Sequence, residues 1–291
     1  MDGYADVRIN PSDNRFYGRA VRATRIADLT LTEAVYEPLA VVPAHTHESS
    51  RLCFVLEGGF AEQAGGTSKP CYAGSLLFHP RDEPHAQQFG DSRSRCLTVQ
   101  LGPRFASRLS EFGIRLPLTP ISARQKTAWL AVNLYEEFWR ADSATDLVCE
   151  GLCLAMLAGL TRDAASQARD AQLPRWLKVV QSLLEERYLE PVRLAELAEA
   201  VDVHPVHLSR VFHQRLGITL TAYVRERRLE WASERLLRTT LPSSRIAVEA
   251  GFRDQVRFTR AFKRATGKTP REFRAAIVGN AAAEWQTRRG R

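Results

Sequence analysis

The sequence predicts a multidomain α+β chain: a strand-rich sandwich or barrel first, a helical connector next, and an all-helical domain last. Three observations lead there. The apolar pattern reads as short strands from about residue 29 to 101 and turns helical from Ser122. The charge is lopsided. A segment near the C-terminus recurs after 50 residues. A length of 291 residues, at about 100–200 per domain, also suggests two domains with a connector. The expected boundaries are 1–103, 104–173 and 174–278, followed by a basic tail at 279–291 expected to be disordered.

Composition excludes several classes. Glycine (17) and proline (14) are at ordinary levels, so the chain is neither collagen-like nor wholly disordered. Apolar runs such as Leu152–Ala158 are far shorter than the roughly 18 residues a membrane span requires. Met1-Asp2-Gly3-Tyr4-Ala5-Asp6 lacks the basic start and apolar core of a signal peptide, so a cytoplasmic location is expected. Five cysteines form no C-x-x-C pair, which argues against a zinc knuckle or a disulfide framework. Cys149 and Cys153, one helical turn apart, read as small apolar residues on a buried face.

The strands come first. Leu29, Leu31, Glu33 and Val35 alternate with Thr30, Thr32, Ala34 and Tyr36. Leu52–Leu56 is an apolar run stopped by Gly58-Gly59, Leu76–Phe78 lies between Gly74 and Pro80, and Cys96–Leu101 closes the set. Short strands with turn signals between them predict a sandwich or barrel. Pro103–Pro120 is transitional. Beyond it, Trp129, Val132, Leu134, Tyr135, Phe138 and Trp139 mark one helical face, and Leu147, Val148, Gly151, Leu152, Leu154, Ala155 and Leu157 another. Arg162–Gln172 is polar and Ala-rich and reads as a linker.

The charge divides at Pro174. Before it stand 18 Lys and Arg against 20 Asp and Glu; from it onward stand 23 against 13. The second part therefore carries a net of +10, which points to a polyanion, nucleic acid ahead of an anionic membrane. The repeat lies in this basic part. Val206 matches Val256, Leu208 Phe258, Ser209 Thr259, Arg210 Arg260, Phe212 Phe262, Gly217 Gly267, Thr219 Thr269 and Tyr223 Phe273. Each copy reads as a helix, a glycine stop in the left-handed position, and the start of another helix. Thr269-Pro270-Arg271-Glu272 has the form of a capping box, and Thr219 is placed to cap a helix over about Leu220–Leu237.

A shorter helix precedes each copy: Leu194, Leu197, Ala198 and Val201 share one face before Asp202-Val203, and Ile246, Ala247 and Ala250 another before Gly251-Phe252. Each pair is a helix-turn-helix pattern, and a continuous bridging helix would hold the second helices about one DNA turn, ~34 Å, apart. Leu208, Val211, Phe212, Phe258, Ala261 and Phe262 are expected to face the core. His207, Ser209 and Arg210, then Gln255, Arg257, Thr259 and Arg260, are expected to face outward. A plain helical bundle would share the apolar periodicity but not both the repeat and the charge.

These residues resemble the AraC/XylS family of bacterial transcription regulators. The likeness is carried by Gly251–Lys263 with Gly267–Arg274, by Leu208–Phe212 with Gly217-Ile218-Thr219, and by Arg228-Leu229 and Ala232. It implies a seven-helix DNA-binding domain with two helix-turn-helix units, and no enzyme activity. It carries base-reading roles onto Val206, Ser209 and Arg210, and onto Gln255, Val256, Arg257, Thr259 and Arg260. Arginine can fork onto guanine and glutamine can pair with adenine, whereas the two valines offer only apolar contact, for instance to a thymine methyl. His204 departs from the usual serine or threonine cap.

Residues 20–101 resemble the cupin fold, through His45-Thr46-His47 and the spacing of Gly74, Pro80 and His85. Asp82 replaces a usual glycine, and Arg51 stands where a metal-binding glutamate is expected. His45 and His47, alternating onto one strand face, and His85 from a neighbouring strand would suit a divalent metal ion. Arg51, if it points inward, would repel a cation and suit a carboxylate or phosphate instead. Glu48 follows His47 directly and should face away. The pocket residues are thus His45, His47, Arg51 and His85, with metal, organic effector and plain packing all left open.

Two functions follow. The first is a ligand-responsive transcription regulator whose N-terminal domain binds a small effector, whose middle helices dimerise, and whose C-terminal domain reads a promoter. RNA polymerase is then an expected partner. The second is a metal-dependent cupin enzyme, a dioxygenase or isomerase, fused to a DNA-binding domain. Arg51 and the lack of another acid–base constellation favour the first. The aromatic face of residues 122–160 is expected either to pack on its own sheet or to form the homodimer interface.

Overall fold

The structure, a computed structural model, describes residues 17–111, 121–122, 125–140 and 142–277. The expected basic tail lies outside the described residues. Two compact units are present. One holds the described residues up to Ala164 and those from Glu272; the other is Ala165–Arg271. Among the described residues, no helix is long and apolar enough to cross a membrane.

The first unit is built on two antiparallel sheets. Its strands are β1 (Arg19–Ile26), β2 (Leu29–Tyr36), β3 (Val41–His45), β4 (Arg51–Glu57), β5 (Gly59–Ala64), β6 (Thr67–Tyr72), β7 (Leu76–His79), β8 (His85–Phe89), β9 (Ser94–Leu101) and β10 (Ile121–Ser122). One sheet runs β1-β2-β9-β4-β7-β10 and the other β3-β8-β5-β6. The expected closed barrel is corrected: among the described residues no strand pairing joins the two sheets, which pack against each other through their inner side chains. Val42, Cys53, Val55, Phe60, Cys71, Leu77, Phe89 and Cys96 pack into one cluster contributed by both. Burial of such surface, worth about 25 cal/mol per Å², is the main force holding the sheets together. All five cysteines are buried and free.

β2 follows the predicted alternation, and both of its faces are covered. Tyr36 packs on the inter-sheet cluster. On the opposite face, the fully buried Glu33 meets α2 (Gln125–Arg140). Arg95 donates through Nε and Nη2 to Glu33 Oε1, at 3.0 and 2.6 Å. Tyr135 and Trp139 donate to Glu33 Oε2, at 3.1 and 3.2 Å. Trp129, Val132, Leu134, Tyr135 and Phe138 are all buried within this chain. The aromatic face is therefore spent on the chain's own packing, which corrects its reading as a dimer interface.

The transitional stretch contains a helix not expected from the sequence, α1 (Pro103–Glu111), which buries Phe105 and Leu109. α3 (Thr145–Ala171) runs through most of the supposed linker. The correction has a simple cause. Arg162–Ala171 contains no glycine or proline and is rich in alanine, the strongest helix former, so the helix continues without an apolar face to guide the eye. α3 leaves Leu147 and Val148 exposed.

Six helices follow in the second unit: α4 (Arg175–Arg187), α5 (Leu194–Glu199), α6 (Pro205–Leu216), α7 (Leu220–Arg238), α8 (Ser243–Glu249) and α9 (Gln255–Thr266). A further helix, α10, spans 270–277. Leu177, Val180 and Leu184 of α4 pack with Leu197 and Ala198 of α5 and with Leu208 and Phe212 of α6. In the later part Ile246, Ala247, Phe258 and Phe262 are fully buried, with Phe258 and Phe262 ring centroids 5.5 Å apart. Thr219 Oγ1 accepts the Ala222 N–H at 3.2 Å and starts α7 as expected. Gly217 and Gly267, at φ +72° and +79°, end α6 and α9 in the left-handed conformation.

Candidate functional site

Two places gather functional side chains, one in each unit. The first is the outer surface of α6 and α9. Each helix is capped before its first residue. His204 Nδ1 accepts the Val206 N–H at 3.3 Å, so histidine fills the place of the usual hydroxyl cap. Asp254 Oδ1 accepts the Arg257 N–H at 2.7 Å. The turns that feed the two helices differ by one residue. In the first, Asp202 takes the left-handed conformation at φ +52°, two residues before the cap; in the second, Gly251 takes it at φ +75°, three residues before the cap. The 50-residue repeat is therefore in register for α6 and α9, and for the ends of α5 and α8 at Glu199 and Glu249, but the left-handed residue of the turn slips by one.

Above the buried Leu208, Phe212, Phe258 and Phe262, the N-terminal halves of α6 and α9 show their polar side chains to solvent. Val206, His207, Ser209 and Arg210 are exposed on α6, and Gln255, Val256, Arg257 and Arg260 on α9, while Thr259 is half-buried. His207 leans on Trp176, with ring centroids 5.9 Å apart. Gln255 Nε2 donates to Ser243 Oγ at 3.2 Å. Arg257 Nε lies 3.4 Å from Asp254 Oδ2. Arg210 and Arg260 have no ion-pair partner among the described residues, so their charges are free for an external anion.

The second place is a small cavity of about 40 Å³ in the sheet unit, lined by Tyr17, Tyr36, His45, His47, Arg51, His79, His85 and neighbours. Register brings the histidines together. His45 at the end of β3 pairs directly with His85 at the start of β8. His47 lies just past β3 in the following loop, so strand alternation does not place it, a correction to the expected geometry. Its carbonyl accepts the Asp82 N–H at 2.7 Å. Asp82 sits at φ +61°, which explains why glycine is usual there and why aspartate, with its short polar side chain, is tolerated.

His45 Nε2 and His47 Nε2 are 3.2 Å apart, and a ligand atom from each of His45, His47 and His85 lies within 4.8 Å of the others. His45 Nδ1–H donates to Pro43 O at 2.9 Å, and His85 Nδ1–H to Glu83 O at 3.1 Å. Burial, and then Arg51 alongside, pushes His47 down to about 2; burial, and then His79, pushes His85 down to about 4; burial also lowers His45. All three rings are therefore neutral at neutral pH, the form that binds metal.

Two residues here escaped sequence reasoning. His79 stacks on His85 with centroids 4.3 Å apart, and its Nε2–H donates to Glu62 Oε1. Glu62, His79 and His85 form a second cluster with metal-ligand character. Glu48 is exposed, as expected. Arg51 does point inward: it is 8% exposed and lines the cavity.

These features define a chain with a helical, outward-facing basic surface in one unit and a small histidine-lined cavity in the other. Residues 197–276 match the model of a family described as helix-turn-helix domain. The thermoregulatory protein LcrF of Yersinia pestis is 33% identical over 249 residues, covering 80% of this chain and 91% of that protein. The arabinose operon regulatory protein of Escherichia coli (strain K12) is 38% identical over 82 residues, 28% of this chain and only 28% of that protein's length. Among solved structures, an AraC-type transcriptional regulator from Chromobacterium violaceum is 31% identical, covering 39% of this chain and 96% of that one, with a TM-score of 0.34. The chain belongs to the AraC/XylS family of transcription regulators, a family of DNA-binding proteins and not of enzymes.

Proposed function

We propose that this protein is a sequence-specific transcription regulator in which α5–α6 and α8–α9 act as two helix-turn-helix units. The observation that carries this reading is the paired arrangement on α6 and α9: each buries an apolar stripe and turns an exposed, capped N-terminal half outward. Such helix starts suit the major groove, where their N-terminal side chains reach base edges and their free N–H groups favour phosphate. α7, with 19 residues, is about 28 Å long at 1.5 Å per residue, a suitable spacer for two grooves on one DNA face. Val206, His207, Ser209 and Arg210 would read one block of bases, and Gln255, Val256, Arg257, Thr259 and Arg260 the next.

The sheet unit is the sensor in this reading, and His45, His47, Arg51 and His85 form its effector pocket. The residues suit a divalent cation: three neutral imidazoles converge, and two hold their Nδ1–H on backbone carbonyls, which leaves Nε2 free to ligate. A bound cation would supply a positive, ligand-accepting centre. The protein acts as a homodimer, with Leu147 and Val148 on α3 as the apolar face available for it. RNA polymerase is the partner through which a promoter-bound regulator of this kind acts.

Selection of bound sequences from a random double-stranded DNA pool tests the DNA-reading proposal. The expected product is two preferred blocks about one helical turn apart. A single block, or no enrichment, would overturn the two-unit reading.

A further inference from the structure

We propose that the sheet-unit cavity takes a small carboxylate, or an oxyanion of similar shape, that binds at once to Arg51 and to a divalent cation on His45, His47 and His85. This rests on the effector-pocket reading above and names the chemistry of what enters it.

Arg51 is 8% exposed, yet its guanidinium has no hydrogen-bond or ion-pair partner among the described residues, and its Nε is fully buried. Other arginines withdrawn from solvent hold a partner through at least one nitrogen: Arg227 and Arg235 also leave Nε bare, but Arg227 pairs with Glu185 and Glu230, and Arg235 with Glu249. Arg95 is held by Glu33 and Tyr135, and Arg228 by three backbone carbonyls. An uncompensated buried charge is strongly unfavourable, so an arginine left bare in a cavity is an anchor awaiting an anion. Its planar fork matches the two oxygens of a carboxylate.

The histidines argue for the cation. With Nδ1–H of His45 given to Pro43 O, Nε2 of that ring carries a lone pair. It faces His47 Nε2 at 3.2 Å. Without an ion this contact is a hydrogen bond, His47 Nε2–H donating to His45 Nε2; two imidazole nitrogens on one ion, each about 2.0–2.1 Å from it, stand roughly 3 Å apart, so the same spacing also fits the edge of a coordination shell once that proton is lost. Glu62 and His79 already satisfy each other, which places the ion on the other three rings.

A cation and Arg51 in one small cavity would repel each other unless negative charge lay between them. Three protein ligands leave a divalent ion with open positions. An oxyanion occupying them while accepting from Arg51 resolves both problems. The cavity, about 40 Å³, admits a head group of only a few atoms. Tyr17, 37% exposed and 5.2 Å from the His45 ring, stands at the rim where a longer tail would leave.

The test uses the full chain, stripped with a chelator, reloaded with cobalt(II), and titrated with acetate while the visible absorption of the ion is followed. The expected result is one cobalt per chain, a spectral change that saturates with acetate but not with chloride, and at least tenfold weaker acetate binding in Arg51→Gln with cobalt still bound. Wild-type protein that binds cobalt but shows no response to acetate would overturn this proposal and leave the pocket reading intact. Acetate binding equally well to stripped protein would overturn the shared site. Absence of cobalt binding, with His45→Ala no different from wild type, would overturn both. The wild-type titration needs no variant, so a poorly folded Arg51→Gln leaves the test decisive.

Discussion

Arg228 Nη1 donates to the carbonyl oxygen of Gly251 across 2.7 Å, while the other two arms of the same guanidinium reach Tyr188 O at 2.6 Å and Glu190 O at 2.8 Å. One side chain from the middle of α7 thereby ties the end of α4 to the turn between α8 and α9. The partners are carbonyl oxygens alone, and burial lowers the arginine's pKa. Arg228→Ala strips donors from three carbonyls and should destabilise the C-terminal unit by about 1–3 kcal/mol. Arg228→Lys cannot reproduce the planar fork and should recover only part of that loss. Equal denaturation midpoints for wild type and Arg228→Ala would dismiss the brace.

The turn that Arg228 holds leaves no room for a side chain. A Cβ on Gly251, at φ +75°, would stand 2.7 Å from Leu189 O and 2.8 Å from Arg228 Cζ. Gly217 has nearly the same conformation, φ +72°, but a Cβ there meets nothing within 4 Å. Gly217→Ala should therefore cost only the left-handed penalty, about 1–2 kcal/mol. Gly251→Ala adds a clash with backbone and should be clearly worse, and it should weaken DNA binding more than Gly217→Ala. Thermal unfolding of the two variants side by side decides it.

The contrast between those glycines also marks how far the sequence could be read. The 50-residue shift located α6 and α9, because glycine, arginine and phenylalanine recur there in register. It could not show the one-residue slip between Asp202 and Gly251, since aspartate substitutes for glycine without leaving a spacing signal. Among the strands, apolar runs such as Leu52–Leu56 were legible. β6, at the edge of its sheet, exposes Thr67, Ser68, Lys69 and Pro70 and has almost no apolar pattern to detect. The three cavity histidines were reached through the resemblance of their motifs, although His47 is placed by a loop and not by strand alternation. Glu62 and His79 did not, because they meet only when strands of two different sheets face each other.

Glu33 illustrates the same limit and yields a sharper test. It alternates with apolar neighbours on β2, yet it is fully buried against Arg95 at 2.6 Å. Removing one charge strands the other. Arg95→Met should cost about 3–5 kcal/mol, and Glu33→Gln a comparable amount. The double variant Glu33→Gln/Arg95→Met should recover a good part of either loss, because no bare charge remains. Strictly additive losses in a double-mutant cycle would show that the pair does not act as a unit.

On α9, Arg260 and Arg264 are both exposed, but only Arg260 lies in the N-terminal half, where base edges are reached. The two positions should therefore fail differently. Arg260→Ala should cost about 1–3 kcal/mol at the preferred site and relax selectivity at one base step, through loss of a forked contact to guanine. Arg264→Ala, acting at most on phosphate, should weaken binding to all sequences alike and reduce the slope of log affinity against log salt by about 1. Salt titrations of both variants on a selected site and on scrambled DNA separate the two roles. If Arg260→Ala left the ratio of selected to scrambled affinity unchanged, Arg260 would be a backbone contact, and base reading on α9 would fall to Gln255, Arg257 and Thr259.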